Sequence, residues 1–305
     1  MRAVLFPGQG SQYLGMGSDF FKEFELVRKI FKTVDNTLGF SLSNIILNGP
    51  EEELILTKNT QPAIMTIGVS IYKILTQKYN YNLQDSLYFA GHSLGEYTAL
   101  VCSGSLTLEK AAYLLHERGK SMQESVPAGE GAMTAIIGMS ISEVEKEINS
   151  LDKEEICEIA NDNSNSQVVV SGTKKAIDKL NKTLKEKKKR SIILPVSAPF
   201  HCSLMKKASE TMKEKIESTD FLKPKPLIIS NVTAKSEDNI NNIKSLLVKQ
   251  IVSRVRWRES VDFMVKNGVT NFIEIGPGKV LSGLVKKINT NVNVKNINSL
   301  EDVNK

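Results

Sequence analysis

Five consecutive residues, Gly91-His92-Ser93-Leu94-Gly95, constrain this chain more than any other stretch. The apolar run 87–90 before them reads as a short buried strand, and the pattern from Glu96 onward reads as a helix. Glycines two places before and two after a serine, set between strand and helix, make a sharp elbow that presents the serine. The turn is strained, so the flanking positions must be nearly free of side chain to avoid collision. It lifts the hydroxyl above the sheet. It also leaves backbone N–H groups at the start of the next helix, where an oxyanion can be held. Ser93 is therefore the candidate nucleophile. The plainer alternative is a glycine-rich turn with a solvent-facing serine.

A serine nucleophile needs a base, and the chain has only three histidines. His92 neighbours the serine on a tight turn, so its side chain projects elsewhere and serves local structure. His116 falls in a helix expected over 107–123, with Glu117, Lys120 and Glu124 as near neighbours, and reads as a surface histidine. His201 remains, in Ala198-Pro199-Phe200-His201-Cys202, on a loop where the chain passes between two units of the fold. Such loops commonly carry catalytic residues, so elimination makes His201 the base. Cys202 has no second histidine to activate it and is expected to be passive.

Arg118 is the other residue that stands out. Ala111, Leu115, Arg118 and Met122 share one face of the 107–123 helix, and that face is otherwise apolar. A guanidinium among core-facing residues must find an anion or strong acceptors. It either snorkels or pairs with a buried carboxylate, or it waits as a fork for a substrate carboxylate. The N-terminal turn Pro7-Gly8-Gln9-Gly10-Ser11-Gln12 is not a dinucleotide fingerprint, because Tyr13 stands where its last glycine would be. Its free backbone N–H groups suit an oxyanion instead.

Strands and helices alternate along the chain, which predicts an α/β fold with mostly parallel pairing. Strands are expected at 3–6, 227–231 and 271–275, a helix at 62–75, and a final helix after Gly276-Pro277-Gly278. Between them, strands at 132–138, 156–160, 167–171 and 191–195 and helices at 142–150 and 173–188 follow the order β-α-β-β-α-β, a ferredoxin-like unit. That divides the chain into a main α/β domain, 1–128 and 197–305, with an inserted subdomain at 129–196. The 305 residues suffice for one large domain with such an insert. The fold is expected to start at residue 1, unless a transit peptide has been removed.

Composition narrows the classes further. Three cysteines without metal-type spacing (Cys102, Cys157, Cys202) suit a reduced compartment, and no run is apolar enough to span a membrane. The formal charge of +6 includes a basic run at 185–190 without interleaved aromatics, which reads as a solvated helix end and not a nucleic-acid surface. A net positive field does suit polyanionic partners.

Taken in order, several blocks resemble the malonyl-CoA:acyl carrier protein transacylase family. They are Phe6-Pro7-Gly8-Gln9-Gly10-Ser11-Gln12, Thr60-Gln61-Pro62-Ala63, Gly91-His92-Ser93-Leu94-Gly95-Glu96, Arg118-Gly119 with Met122, Ala160-Asn161, Pro199-Phe200-His201 and Glu274-Ile275-Gly276-Pro277-Gly278. The resemblance implies a hydrolase-like α/β domain with a ferredoxin-like insert. It implies Ser93 as the acylated nucleophile, His201 as its base and Arg118 as the grip on a malonyl carboxylate. It also implies the backbone N–H groups of Gln9 and Leu94 as the oxyanion hole. Gln250 would orient the histidine through its backbone carbonyl, and Asn161 and Met122 would line the site. Phe200 and Leu94 would favour malonyl over methylmalonyl. Malonyl-CoA and an acidic acyl carrier protein are the implied partners, with no cofactor, metal, nucleic acid or membrane. A cytoplasmic monomer serving fatty acid synthesis is expected. A serine thioesterase or esterase, a polyketide-pathway acyltransferase and a non-catalytic carrier-binding module are the alternatives.

Overall fold

The computed structural model describes residues 1–151, 155–196 and 198–303. Its strands are β1 (Arg2–Phe6), β2 (Tyr88–Gly91), β3 (Gly131–Ile137), β4 (Cys157–Ser164), β5 (Gln167–Thr173), β6 (Arg190–Ile193), β7 (Leu227–Ile229), β8 (Ser236–Glu237), β9 (Asn271–Ile275) and β10 (Asn293–Ile297). They form a six-stranded sheet, β10-β9-β1-β2-β7-β8, and a separate four-stranded sheet, β4-β5-β3-β6. The first is parallel except for β8 on its edge, and the second is antiparallel. This is the expected mixed α/β architecture. The β-α-β-β-α-β order is also present, with helices Ile141–Asn149 and Lys174–Glu186 between the strands of the smaller sheet. The boundary expected between 196 and 197 touches residue 197, which lies outside the described residues, as does the chain end at 304–305.

The main sheet reads as apolar runs because both of its faces are covered. Alternation along β1 divides its side chains between two cores. Val4 and Phe6 pack with Ile64, Ile67 and Leu115, whereas Ala3 and Leu5 pack with Trp257, Val261, Leu281 and Val285. The smaller sheet has its own core of Ile136, Val144, Val168, Val170, Ile177, Leu180 and Leu184. Helix Leu108–Gln123 starts where expected, with the Thr107 hydroxyl accepting from the Lys110 N–H at 3.2 Å.

Four expectations need correction. The helix expected at 62–75 runs Thr57–Gln77, so Pro62 lies inside it and not at its start. Proline cannot donate to the carbonyl four residues earlier, which frees the Lys58 oxygen. His116 Nδ1 lies 3.0 Å from that oxygen, and its ring packs on Phe40 with centroids 5.5 Å apart. His116 is therefore half-buried and occupied, not a surface histidine. The strand expected at 156–160 continues to Ser164, because its polar end residues are buried against partners from the main domain. Finally, Val280–Ile288 is not the last element: β10 and a short helix, Leu300–Val303, follow it. β10 is an edge strand of largely polar sequence, which hides it from periodicity. The stretch 236–247, which carries no motif, builds β8 and most of helix Ile240–Gln250.

Candidate active site

The site forms at the carboxyl ends of the central strands β1 and β2, where Phe6 and Gly91 are in register. The chain leaves β2 at Gly91 and turns so sharply that Ser93 takes φ 54°, the left-handed region that side chains resist. A Cβ on Gly91 would stand 1.9 Å from the Gly95 carbonyl carbon, and one on Gly95 would stand 2.2 Å from the Phe6 oxygen. Both positions therefore admit only glycine, as the elbow requires. Helix Gly95–Cys102 follows directly.

The turn aims Ser93 Oγ at His201 Nε2, 2.8 Å away, while His201 Nδ1 lies 2.8 Å from the backbone oxygen of Gln250. A carbonyl only accepts, so Nδ1 carries the proton and Nε2 is left to accept from the serine hydroxyl. The carbonyl of Gln250 stands where a triad would have a carboxylate. Burial, and after it the charge of Arg118, hold the imidazole neutral, with its pKa pushed down to about 3. His92 serves the surrounding structure, as expected. Its Nε2 lies 2.9 Å from Asn163 Oδ1, and its ring packs on Trp257. Cys202 is buried, its thiol donates to the Pro199 oxygen at 3.0 Å, and burial pushes its pKa up to about 12. It is passive.

Arg118 is 1% exposed and, among the described residues, has no carboxylate in hydrogen-bonding contact. Nη1 donates to Gln61 Oε1 at 2.7 Å, and Nη2 donates to Gln250 Oε1 at 2.8 Å and Ser93 Oγ at 3.1 Å. Among the described residues its Nε has no partner. The guanidinium thus touches the Ser93 hydroxyl and is held by neutral acceptors. A carboxylate group remains close, one residue removed: Gln250 Nε2 donates to Glu96 Oε2 at 2.8 Å. Burial raises the Glu96 pKa to about 7, against the Asn231 and Gln250 hydrogen bonds and the Arg118 charge.

These groups open on a cavity of about 290 Å³, also lined by Gln9, Leu94, Met122, Asn161 and Phe200. Every expected site residue except Gln250 therefore lines the cavity, and Gln250 stands behind it on the dyad. Among the described residues, the Gln9 and Leu94 backbone N–H groups donate to no protein acceptor, which leaves both free for an oxyanion. Met133 and residues 194–196 add a wall from the smaller sheet and its exit. A larger open groove, about 700 Å³, lies at the amino-terminal edge of the main sheet near Arg2, Ser86 and Lys225, far from the dyad. Sequence reasoning assigned no role to Gln61, Glu96 or Asn231, or to the Gln250 side chain. Gln61 and Glu96 did lie in blocks that carried the resemblance. Asn231 had no signal.

A strained serine, a histidine at hydrogen-bonding distance and two free N–H groups are the parts that acyl transfer through a serine requires. The family model described as "Acyl transferase domain" matches residues 4–303. The chain belongs to the malonyl CoA-acyl carrier protein transacylase family. It is 43% identical over 289 residues to the relative of that name from Bacillus subtilis, covering 94% of this chain and 90% of the relative. It is 40% identical over 287 residues to that from Escherichia coli K12, covering 94% and 92%. The solved acyl-carrier-protein-S-malonyltransferase of Bartonella henselae superimposes with a TM-score of 0.96 at 40% identity, covering 99% of this chain and 97% of that one. A malonyl-transacylase in complex with its type II PKS acyl-carrier protein gives 0.95 at 38% identity, covering 99% and 97%.

Proposed function

We propose that this chain transfers a malonyl group from malonyl-CoA to the phosphopantetheine thiol of an acyl carrier protein, through a malonyl-Ser93 ester. One observation carries the choice of acyl group: a buried guanidinium, 3.1 Å from the Ser93 hydroxyl, with a spare N–H and, among the described residues, no carboxylate in contact. Once Ser93 is acylated, a malonyl carboxylate lies two carbon–carbon bonds from the ester carbonyl carbon, within reach of that fork. A bidentate contact there selects a diacid thioester over a plain one. A simple esterase or thioesterase has no use for it.

The geometry supports the following steps. His201 Nε2 takes the Ser93 proton as Oγ attacks the thioester carbonyl, and the oxyanion accepts from the Gln9 and Leu94 N–H groups. As the carbonyl reforms, the C–S bond breaks and the coenzyme A thiol leaves with the proton from His201. The carrier thiol then runs the sequence in reverse and frees Ser93. Arg118 also couples binding to base strength. Its charge helps hold His201 below its ordinary range. A malonyl carboxylate neutralises that charge and makes His201 a better base only when the right acyl group is present. Phe200 and Leu94 crowd the position beside the malonyl α-carbon and disfavour methylmalonyl.

The route uses side chains and backbone groups of one chain, and coenzyme A enters as substrate. The main unit, 1–128 and 197–305, is read as a hydrolase-like domain. The smaller unit, 129–196, is read as a ferredoxin-like insert, supported by its strand order and separate core. No described helix is long and apolar enough to cross a membrane, and we place the protein in the cytoplasm, supplying extender units for fatty acid synthesis.

The test is kcat/KM for malonyl-, methylmalonyl- and acetyl-CoA with one carrier protein. Wild type should prefer malonyl-CoA strongly. Arg118→Ala should lower malonyl transfer by about 2–5 kcal/mol of transition-state stabilisation and narrow or invert the preference over acetyl-CoA. Equal losses for malonyl and acetyl would make Arg118 a structural residue.

A further inference from the structure

β2 pairs with β7 from Tyr88 opposite Leu227 to Ala90 opposite Ile229, and there the ladder ends. The next residues of β2 are the elbow itself, where Ser93 turns to φ 54° and no strand can follow. Asn231, two residues past the end of β7, nevertheless continues the pairing with its side chain. Its Nδ2 donates to the Gly91 oxygen at 2.7 Å, and its Oδ1 accepts the Ser93 N–H at 2.7 Å. In a parallel ladder, a residue opposite position i donates to the carbonyl of i−1 and accepts from the N–H of i+1. With His92 as position i, the Asn231 amide makes both of those bonds. A side chain thus takes the place of a peptide group where the backbone departs from strand geometry.

We propose that Asn231 is the positioning residue for the nucleophile, holding Ser93 in its left-handed turn by spanning the elbow with its side-chain amide. The residue is built for this and free for nothing else. It is 0% exposed. Its own N–H donates to Glu96 Oε2 at 3.0 Å, and its own carbonyl accepts the Arg256 N–H at 3.0 Å. Both backbone groups are therefore committed, and only the side chain reaches the elbow. Gln250 Nε2 adds a long contact to Asn231 Oδ1 at 3.4 Å. Because Asn231 occupies the Ser93 N–H, that group is not an oxyanion donor, which leaves the role to Leu94 and Gln9. An amide is required. Aspartate supplies the acceptor but sets an oxygen against the Gly91 oxygen, and leucine or alanine supplies neither bond. A left-handed non-glycine residue stores on the order of 1–3 kcal/mol of strain and persists only where its surroundings impose it.

The inference rests on malonyl-Ser93 being the intermediate, and the experiment separates the two. The rate of Ser93 malonylation is measured at saturating malonyl-CoA, with KM, for wild type, Asn231→Ala and the isosteric Asn231→Asp. Malonyl-CoA affinity is measured separately in the Ser93→Ala background with and without Asn231→Ala. The expected result is a fall of about 100-fold in the saturating rate for both variants, as for a reacting atom displaced by about 1 Å. KM and the affinity should stay within about 3-fold, because Asn231 neither bonds to Arg118 nor lines the cavity. Aspartate should rescue nothing. A rate within about 3-fold of wild type would overturn the proposal. So would rate and affinity falling together, which a general structural role produces. If alanine does not fold, the aspartate variant alone carries the same reading. If wild type itself forms no ester on Ser93, the malonyl-transfer reading fails instead.

Discussion

Arg118 carries a charge into an interior where neutral groups hold it, and Glu96 places a buried carboxyl on the far side of Gln250. Each burial costs free energy that the partner only partly offsets. For Glu96 the consequence is measurable. Its carboxyl is raised from an ordinary 4.5 to about 7, mainly by burial. A raised folded-state value means the folded protein holds the proton more tightly than the unfolded chain. The stability this contributes is full below about 4.5 and is lost as pH rises through 7. Glu96→Gln does not titrate. Its stability relative to wild type should therefore improve by on the order of 3 kcal/mol between pH 4 and pH 8. Denaturant unfolding of both proteins across that range checks the sign, and a constant difference would contradict it. At this scale the sequence was unevenly legible. Ser93 announced itself by its glycines, His201 by elimination among three histidines, and Arg118 by its place on an apolar helix face. Asn231 and the side chain of Gln250 were not visible, because polar residues at a loop or a helix end look alike until the fold shows what they face.

The elbow is the element on which the site depends. Gly91 ends β2 against the start of helix Gly95–Cys102, and the added Cβ of an alanine would lie 1.9–2.4 Å from backbone atoms of Gly95 and Glu96. Backbone cannot yield as a flexible side chain can, so strand and helix would have to separate. Gly91→Ala should cost about 3 kcal/mol or more, at the upper end of overpacking changes, and remove the acylation activity of whatever folds. Denaturant unfolding with an activity assay checks this, and a variant within 1 kcal/mol of wild type would show that the turn relaxes freely. Helix Thr57–Gln77 teaches a different lesson. A proline within a pattern normally marks a helix start, but here the carbonyl freed by Pro62 finds His116 from the neighbouring helix. Tertiary pairing overrode the local signal, and no local reading of either segment could have shown it.

At the scale of the molecule, two sheets meet over one cavity, and the smaller sheet shares one face with the main core and keeps a second core on the other. The main sheet supplies Ser93 and the neighbouring helix Arg118. The smaller sheet supplies Met133 and Asn161, and the loop leaving it leads to His201. The join is apolar and polar: Met133, Ala135, Ala160 and Val169 of the smaller sheet belong to the same buried cluster as Leu115, Phe200 and Met205, and hydrogen bonds and an ion pair add to it. Asp162 N donates to Val255 O at 2.9 Å, Val255 N donates to Ala160 O at 2.8 Å, and Arg258 pairs with the buried Asp162 carboxylate at 2.8 Å. The separate antiparallel sheet was legible because the strand–helix rhythm changes there. The join was not, since Asp162, Asn163 and Ser164 look like a loop until their partners are in view. The helices between residues 18 and 54 and the edge strand β10 also escaped notice. The whole assembly has one purpose under this account, a malonyl ester on a single serine. The most direct measurement is the intact mass of the protein after brief mixing with malonyl-CoA in the absence of carrier protein, followed by peptide mapping. The account predicts one malonyl group per chain, located on Ser93, absent from Ser93→Ala, and discharged when carrier protein is added. A malonyl group on any other residue, or none on wild type, would contradict it.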